Sequence, residues 1–163
     1  MLTACTPATE HAGCDAVSTR EIAFTGGASA DIVTVRSFGK VCRDAIGLFT
    51  VTTADGAPVW AWSAPLHRVF GETFVENERE AMAAFLDRWT EPQISTTTHA
   101  PEFELLAPGQ TTLDALTYED VRARDLPMLC HYAGTARQAC VFWEPAAGGA
   151  GHLLDRDIDE GTP

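Results

Sequence analysis

Around Asp55-Gly56 apolar and polar side chains alternate as they do along a strand, and from Thr73 the period lengthens to that of a helix. Residues 21–25 and 32–38 read as strands joined by Gly26-Gly27-Ala28-Ser29-Ala30-Asp31, a turn-rich link that predicts a first hairpin. A sharper signal follows, where residues 48–53 and 59–64 flank Asp55-Gly56, a pair suited to the positive φ angles of a tight turn. With Asp55 and Gly56 as the loop, Val51 faces Trp60 and Phe49 faces Trp62. All four side chains then lie on one side of the ribbon, the side expected to meet the core, and Thr50, Thr52 and Ala61 take the other.

From Thr73 the apolar positions become helical, with Met82, Phe85, Leu86 and Trp89 on one face and Glu78, Arg79, Asp87 and Arg88 elsewhere. Thr73 with Glu76 fits a capping box and Pro92 stops the helix, so the main helix is expected at about 73–90. The Thr- and Pro-rich stretch 93–110 predicts an irregular edge strand around 94–98. Thr117-Tyr118-Glu119-Asp120 reads as the capped start of a short second helix running to Arg124. Residues 126–132 and 139–143 then form a second strong hairpin, and Gly148-Gly149-Ala150-Gly151 leads into a short final strand near 152–154. Consecutive hairpins with one substantial inserted helix imply an α+β fold, an antiparallel sheet packed by that helix. The expected layout is a flexible N-terminal tether over 1–18 and a single globular domain over 19–160, with no internal repeat.

Composition supports a folded domain and narrows its partners. The chain has 163 residues, 45% of them hydrophobic, which suffices for a core burying roughly two thirds of the unfolded surface. Its formal charge is −12, from 23 acidic against 11 basic side chains, and the ten arginines and the single lysine, Lys40, are scattered rather than gathered. Such a surface repels phosphate backbones and anionic lipid, so neither nucleic-acid binding nor polybasic membrane attachment is expected. A basic protein partner, a cation or a neutral ligand is compatible with it. No apolar run reaches the roughly 18 residues of a membrane-spanning helix.

The five cysteines, Cys5, Cys14, Cys42, Cys130 and Cys140, include no C-x-x-C pair, and that spacing favours disulfides over zinc or redox motifs. Cys130 and Cys140 flank nine residues, and a hairpin centred near Thr135 would place them opposite each other across two strands. Elimination would then pair Cys14 with Cys42, closing a loop worth roughly 3 kcal/mol if formed, although four cysteines allow three pairings and the sequence alone does not choose among them. Disulfides in turn point to an oxidising compartment outside the cytoplasm. Leu2-Thr3-Ala4-Cys5 resembles the lipobox of bacterial lipoprotein precursors. That resemblance implies a lipid on the Cys5 thiol, a tether from Thr6 onward, and a periplasmic or outer-membrane-anchored domain that touches a membrane only through the anchor.

No local motif assigns a catalytic, cofactor or metal role. His67, His99, His131 and His152 stand at no paired ligand spacing and read as single surface or hairpin residues. Cys130 beside His131 makes a poor thiol–base dyad, since neighbours on a strand point to opposite faces. Residues 155–161 carry carboxylates at alternate positions like the first half of a calcium loop, but Glu160 stands where the turn needs glycine, so a solvated acidic tail is expected. Trp60 and Trp62 read as core. Trp143 is the tryptophan expected to be part-exposed and, with His131, the candidate for a binding surface. The leading functional expectation is a non-enzymatic cell-envelope module that binds or inhibits a protein or builds an assembly. Its rival is a small extracytoplasmic hydrolase assembled from His67, Glu72, His99 and Asp114 on loops.

Overall fold

A computed structural model describes residues 13–74 and 79–158. Two four-stranded antiparallel sheets form, each with its strands side by side in chain order. The first holds β1 (Ala16–Ile22), β2 (Asp31–Phe38), β3 (Ile46–Thr52) and β4 (Pro58–Pro65). The second holds β5 (Gln93–Thr96), β6 (Pro127–Gly134), β7 (Arg137–Glu144) and β8 (Gly149–Asp157). Between the sheets the chain makes α1 (Leu66–Phe70) and α2 (Arg79–Trp89), and α3 (Ala115–Ala123) interrupts β5 and β6. The fold is α+β, as the hairpin pattern predicts. Glu76, half of the predicted capping box, and Cys5 lie outside the described residues.

The pairing at the Asp55-Gly56 hairpin follows the predicted register, with Phe49 opposite Trp62 and Val51 opposite Trp60. The loop itself is one residue longer than a two-residue turn. Gly56 donates its N–H to Thr53 O at 2.9 Å, and Gly56 has φ +86°, so a turn followed by a left-handed glycine replaces the primed turn. The extra residue is absorbed as a register shift between Val51 and Thr52.

The first hairpin starts earlier than its pattern suggests. β1 begins at Ala16, inside the stretch read as tether, because its main-chain groups pair with β2 from Ala16–Ser37 to Ile22–Asp31 although its side chains are largely polar. The 23–30 connection is held by Asp31, whose buried carboxylate accepts from the N–H groups of Phe24 and Thr25 and from the Thr25 hydroxyl at 2.7–2.9 Å. Cys14 is buried and bonded to Cys42, so order extends ahead of the predicted domain boundary.

β2 shows the pattern of a sheet with one wet face: Val33, Val35 and Ser37 are buried while Arg36 and Phe38 are exposed. The second sheet differs, since it is covered on both faces. Leu129 and Val141 pack with Phe49, Leu66, Leu86 and Trp89 in one core. Met128, Cys130, Cys140 and Leu154 join Tyr118 and Val121 of α3 in another. Double coverage is why β6 and β7 read as almost unbroken apolar runs. Cys130 and Cys140 are register partners and are disulfide-bonded, which matches the predicted pair.

The boundaries of α3 and β8 move, and one short helix is new. α3 starts at Ala115 with Asp114 as its N-cap, its carboxylate accepting from the Thr117 N–H at 3.0 Å and the Thr117 hydroxyl at 2.8 Å. Those bonds hold the Asp114 carboxyl below the usual carboxylate range. β8 runs from Gly149 to Asp157, so Asp155, Arg156 and Asp157 belong to a strand and not to a solvated tail. The five-residue α1 was not among the predicted elements, being too short for a helical period to show.

The disulfide in the second sheet closes a loop of ten residues. The double variant C130A/C140A is expected to lose roughly 2.7 kcal/mol of unfolding free energy on the chain-entropy argument. Urea unfolding checks this, and an unchanged midpoint would mean that the hairpin is already as restricted in the unfolded chain.

Candidate functional site

The helical stripe of α2 positions the site. Met82, Leu86 and Trp89 are buried, and Phe85 sits half-buried beside them. Phe70 from the end of α1 meets Phe85 edge-on at 4.8 Å and Trp89 at 5.6 Å, and Phe85 meets Trp89 at 5.4 Å. Opposite stands the β6–β7 turn. It is fixed to α1 by the Thr135 N–H, which donates to Val69 O at 3.1 Å. Gly134 sits close against α1 there, where a β-carbon would come to 3.1 Å from Val69 O.

Between α2 and this turn lies a cleft of about 350 Å³ lined by Phe70, Phe85, Arg88, Trp89, Glu91, Tyr132, Gly134 and Thr135. Its floor is rigid: Trp89 is 2% exposed and donates its indole N–H to Tyr132 O at 2.9 Å. Its walls are open, Tyr132 being 41% exposed. Of the two ionic groups at the rim, Glu91 is engaged by Arg20 at 2.7 Å, and the Arg20 Nε donates to the Thr90 hydroxyl. Arg88 has no carboxylate partner among the described residues.

Behind the cleft lies His131, and here the predicted binding surface is corrected. His131 is 1% exposed, because β6 is covered on both faces and the ring stacks on Phe49 at 4.3 Å and 16°. Its Nδ1 donates to Tyr132 O at 3.0 Å, so Nε2 is left to accept the Trp60 indole N–H at 3.2 Å. Burial, partly offset by the bond to Tyr132 O and by Asp155, lowers its pKa to about 4, and the ring is neutral. Cys130 points the other way into the α3 core, as strand alternation requires. Trp143 is half-buried against the first core, as Trp60 and Trp62 are.

The residues of the hydrolase reading are not gathered. His67 and Glu72 lie exposed beside the first sheet, whereas His99 bonds Thr96 and Asp114 caps α3 at the second. No hydrogen bond or ion pair joins the two groups among the described residues. A His–carboxylate contact forms elsewhere: His152 Nε2 lies 3.1 Å from Asp155 Oδ1, and Arg137 holds the other carboxylate oxygen. Three positions apart on a regular strand these side chains would diverge. A register shift in β8, where His152 pairs Val141 and Leu154 pairs Cys140, returns them to one side. No hydroxyl or thiol bonds the His152 ring among the described residues, and no group of three or more His, Cys, Asp or Glu is placed to hold a metal ion.

The helical pattern marks Phe85 and Trp89 as core and sets Arg88 off the apolar face, and Tyr132 ends a predicted strand with nothing local to mark it as part of a cleft. The signal available was a charged residue adjoining the apolar stripe of α2, which is ordinary on any amphipathic helix. No protein-family model matches this chain, and no curated protein or solved structure proves similar to it.

Proposed function

We propose that this protein is an extracytoplasmic, non-enzymatic binding module, lipid-anchored through Cys5, that grips a protein partner in the α2–β6/β7 cleft. The observation that carries the reading is an aromatic cleft at the surface: Tyr132 is 41% exposed and Phe85 half-buried above a floor of Phe70 and Trp89. Aromatic pockets of this kind seat the anchor residues of protein interfaces. The one carboxylate in the lining is held by Arg20, which suits recognition better than proton transfer. Two disulfides are compatible with an oxidising compartment, and they support the proposed address.

The anchor is tested by mass spectrometry of the protein from its native membrane. Mature chains should begin at an acylated Cys5, and an unmodified Met1 followed by free Cys5 would refute it. The binding surface is tested by a photo-crosslinking side chain at Thr135 on the cleft rim, with Leu116, an exposed residue of α3, as the control position. A discrete adduct should form from Thr135 alone in envelope preparations. Adducts equal at both positions, or none from Thr135, would reject the cleft as the site.

A further inference from the structure

Resting on the reading of the cleft as a protein-binding site, we infer that its occupant is the C-terminal residue of the partner chain. A large apolar side chain lies against Phe85, Trp89 and Tyr132, and the terminal carboxylate pairs with Arg88.

Size sets a limit. A cleft of about 350 Å³ lies near the lower end of ligand cavities, enough for one large side chain and its backbone but too little for a helix. The β6–β7 turn borders the cleft and is tied to α1 through the Thr135 N–H on Val69 O.

Charge selects the carboxyl end. The protein carries 23 acidic and 11 basic side chains, yet Arg88 at the rim has no acidic partner among the described residues, and Glu91 beside it is neutralised by Arg20. An incoming anion therefore meets one uncompensated guanidinium, whose planar fork matches a carboxylate with two hydrogen bonds. Arg88 stands three positions after Phe85 on α2 and lines the same cleft, so charge and apolar wall adjoin. An α-carboxylate is one bond from the Cα that carries the side chain, and it keeps that separation short; an internal Asp or Glu carries its charge on a different side chain from the apolar one. Capture of a terminal carboxylate beside a side-chain pocket is an established mode of peptide recognition.

The test uses the oxidised full chain and three labelled hexapeptides, followed by fluorescence anisotropy: one ending in Phe with a free carboxylate, the same peptide as its C-terminal amide, and one ending in Ser with a free carboxylate. The Phe acid should bind saturably, and the amide and the Ser acid each at least about tenfold more weakly. Arg88→Gln, an exposed change that should leave the near-ultraviolet circular dichroism unaltered, should bring the acid down to the affinity of the amide and leave the amide unchanged. Equal binding of acid and amide by the native protein, or an equal loss of both in Arg88→Gln, would overturn the assignment. Absence of binding by all three peptides would overturn it too. In that case a persisting Thr135 adduct would leave the binding-module reading standing, and loss of the adduct would remove both.

Discussion

Trp89→Ala is expected to destabilise the protein by roughly 3–5 kcal/mol, the range for truncating a large buried aromatic residue. Trp89 is where α2 is fastened to both sheets. Its ring meets Phe49 and Trp62 of the first sheet at 5.8 and 5.7 Å, and its N–H donates to Tyr132 O in the second. Alanine would leave a void bounded by all three elements, and their collapse into it is limited by the strand pairing on either side. The conservative Trp89→Phe keeps much of the ring but deletes the donor. Tyr132 O retains the bond from His131, so this variant should lose only about 1 kcal/mol from the missing bond. Chemical denaturation of the three proteins provides the check. A Trp89→Ala protein as stable as the native one would mean that α2 is peripheral to the fold and that the cleft has no fixed floor.

Acid should weaken the protein through His131. In the folded state burial lowers this histidine to about 4 from the ordinary value of 6.5. A lowered histidine takes up its proton first in the unfolded chain. The stability it permits is therefore complete above about pH 6.5, falls as pH drops toward 4, and changes no further below that, a total of roughly 3 kcal/mol. Charging the ring would place a cation between Phe49 and Trp62 and would turn Nε2 into a donor facing the Trp60 N–H. His131→Gln should be less stable than the native protein at pH 7, and the gap should narrow as the pH approaches 4. Urea titrations at several pH values give the difference between the two proteins, from which the carboxylates common to both cancel. A difference independent of pH across this window would show that His131 does not carry the acid sensitivity.

Much of the fold is legible residue by residue. Period-two alternation and Asp55-Gly56 predict the pairing of Phe49 with Trp62 and of Val51 with Trp60, because alternation and a turn together leave one register that puts all four on the core side. The disulfide between Cys130 and Cys140 follows from the same kind of reasoning. The misreadings have local causes. β1 carries Ser18, Thr19, Arg20 and Glu21, so no apolar alternation marks it, and it is a strand because β2 offers a main-chain edge. Asp114 outcompetes Thr117 as the cap of α3 because its carboxylate takes both the N–H and the hydroxyl of that threonine. His131 looked like a hairpin residue open to solvent, since strand alternation says which residues share a face and nothing about what covers each face.

What the sequence by itself determined is therefore what is set by neighbours along the chain and across one turn: an α+β domain of antiparallel hairpins, the apolar stripe of α2, the facing of Cys130 and Cys140, and a formal charge of −12. Only the tertiary structure decided that there are two sheets, that the second is covered on both sides, and that α2 faces the tip of β6 and β7. Trp89 and Tyr132 are 43 positions apart, and the cleft between them exists because buried rings from three elements share one core. No period or spacing encodes that encounter, because it depends on how whole faces pack, and packing sums contacts that are distant in the chain.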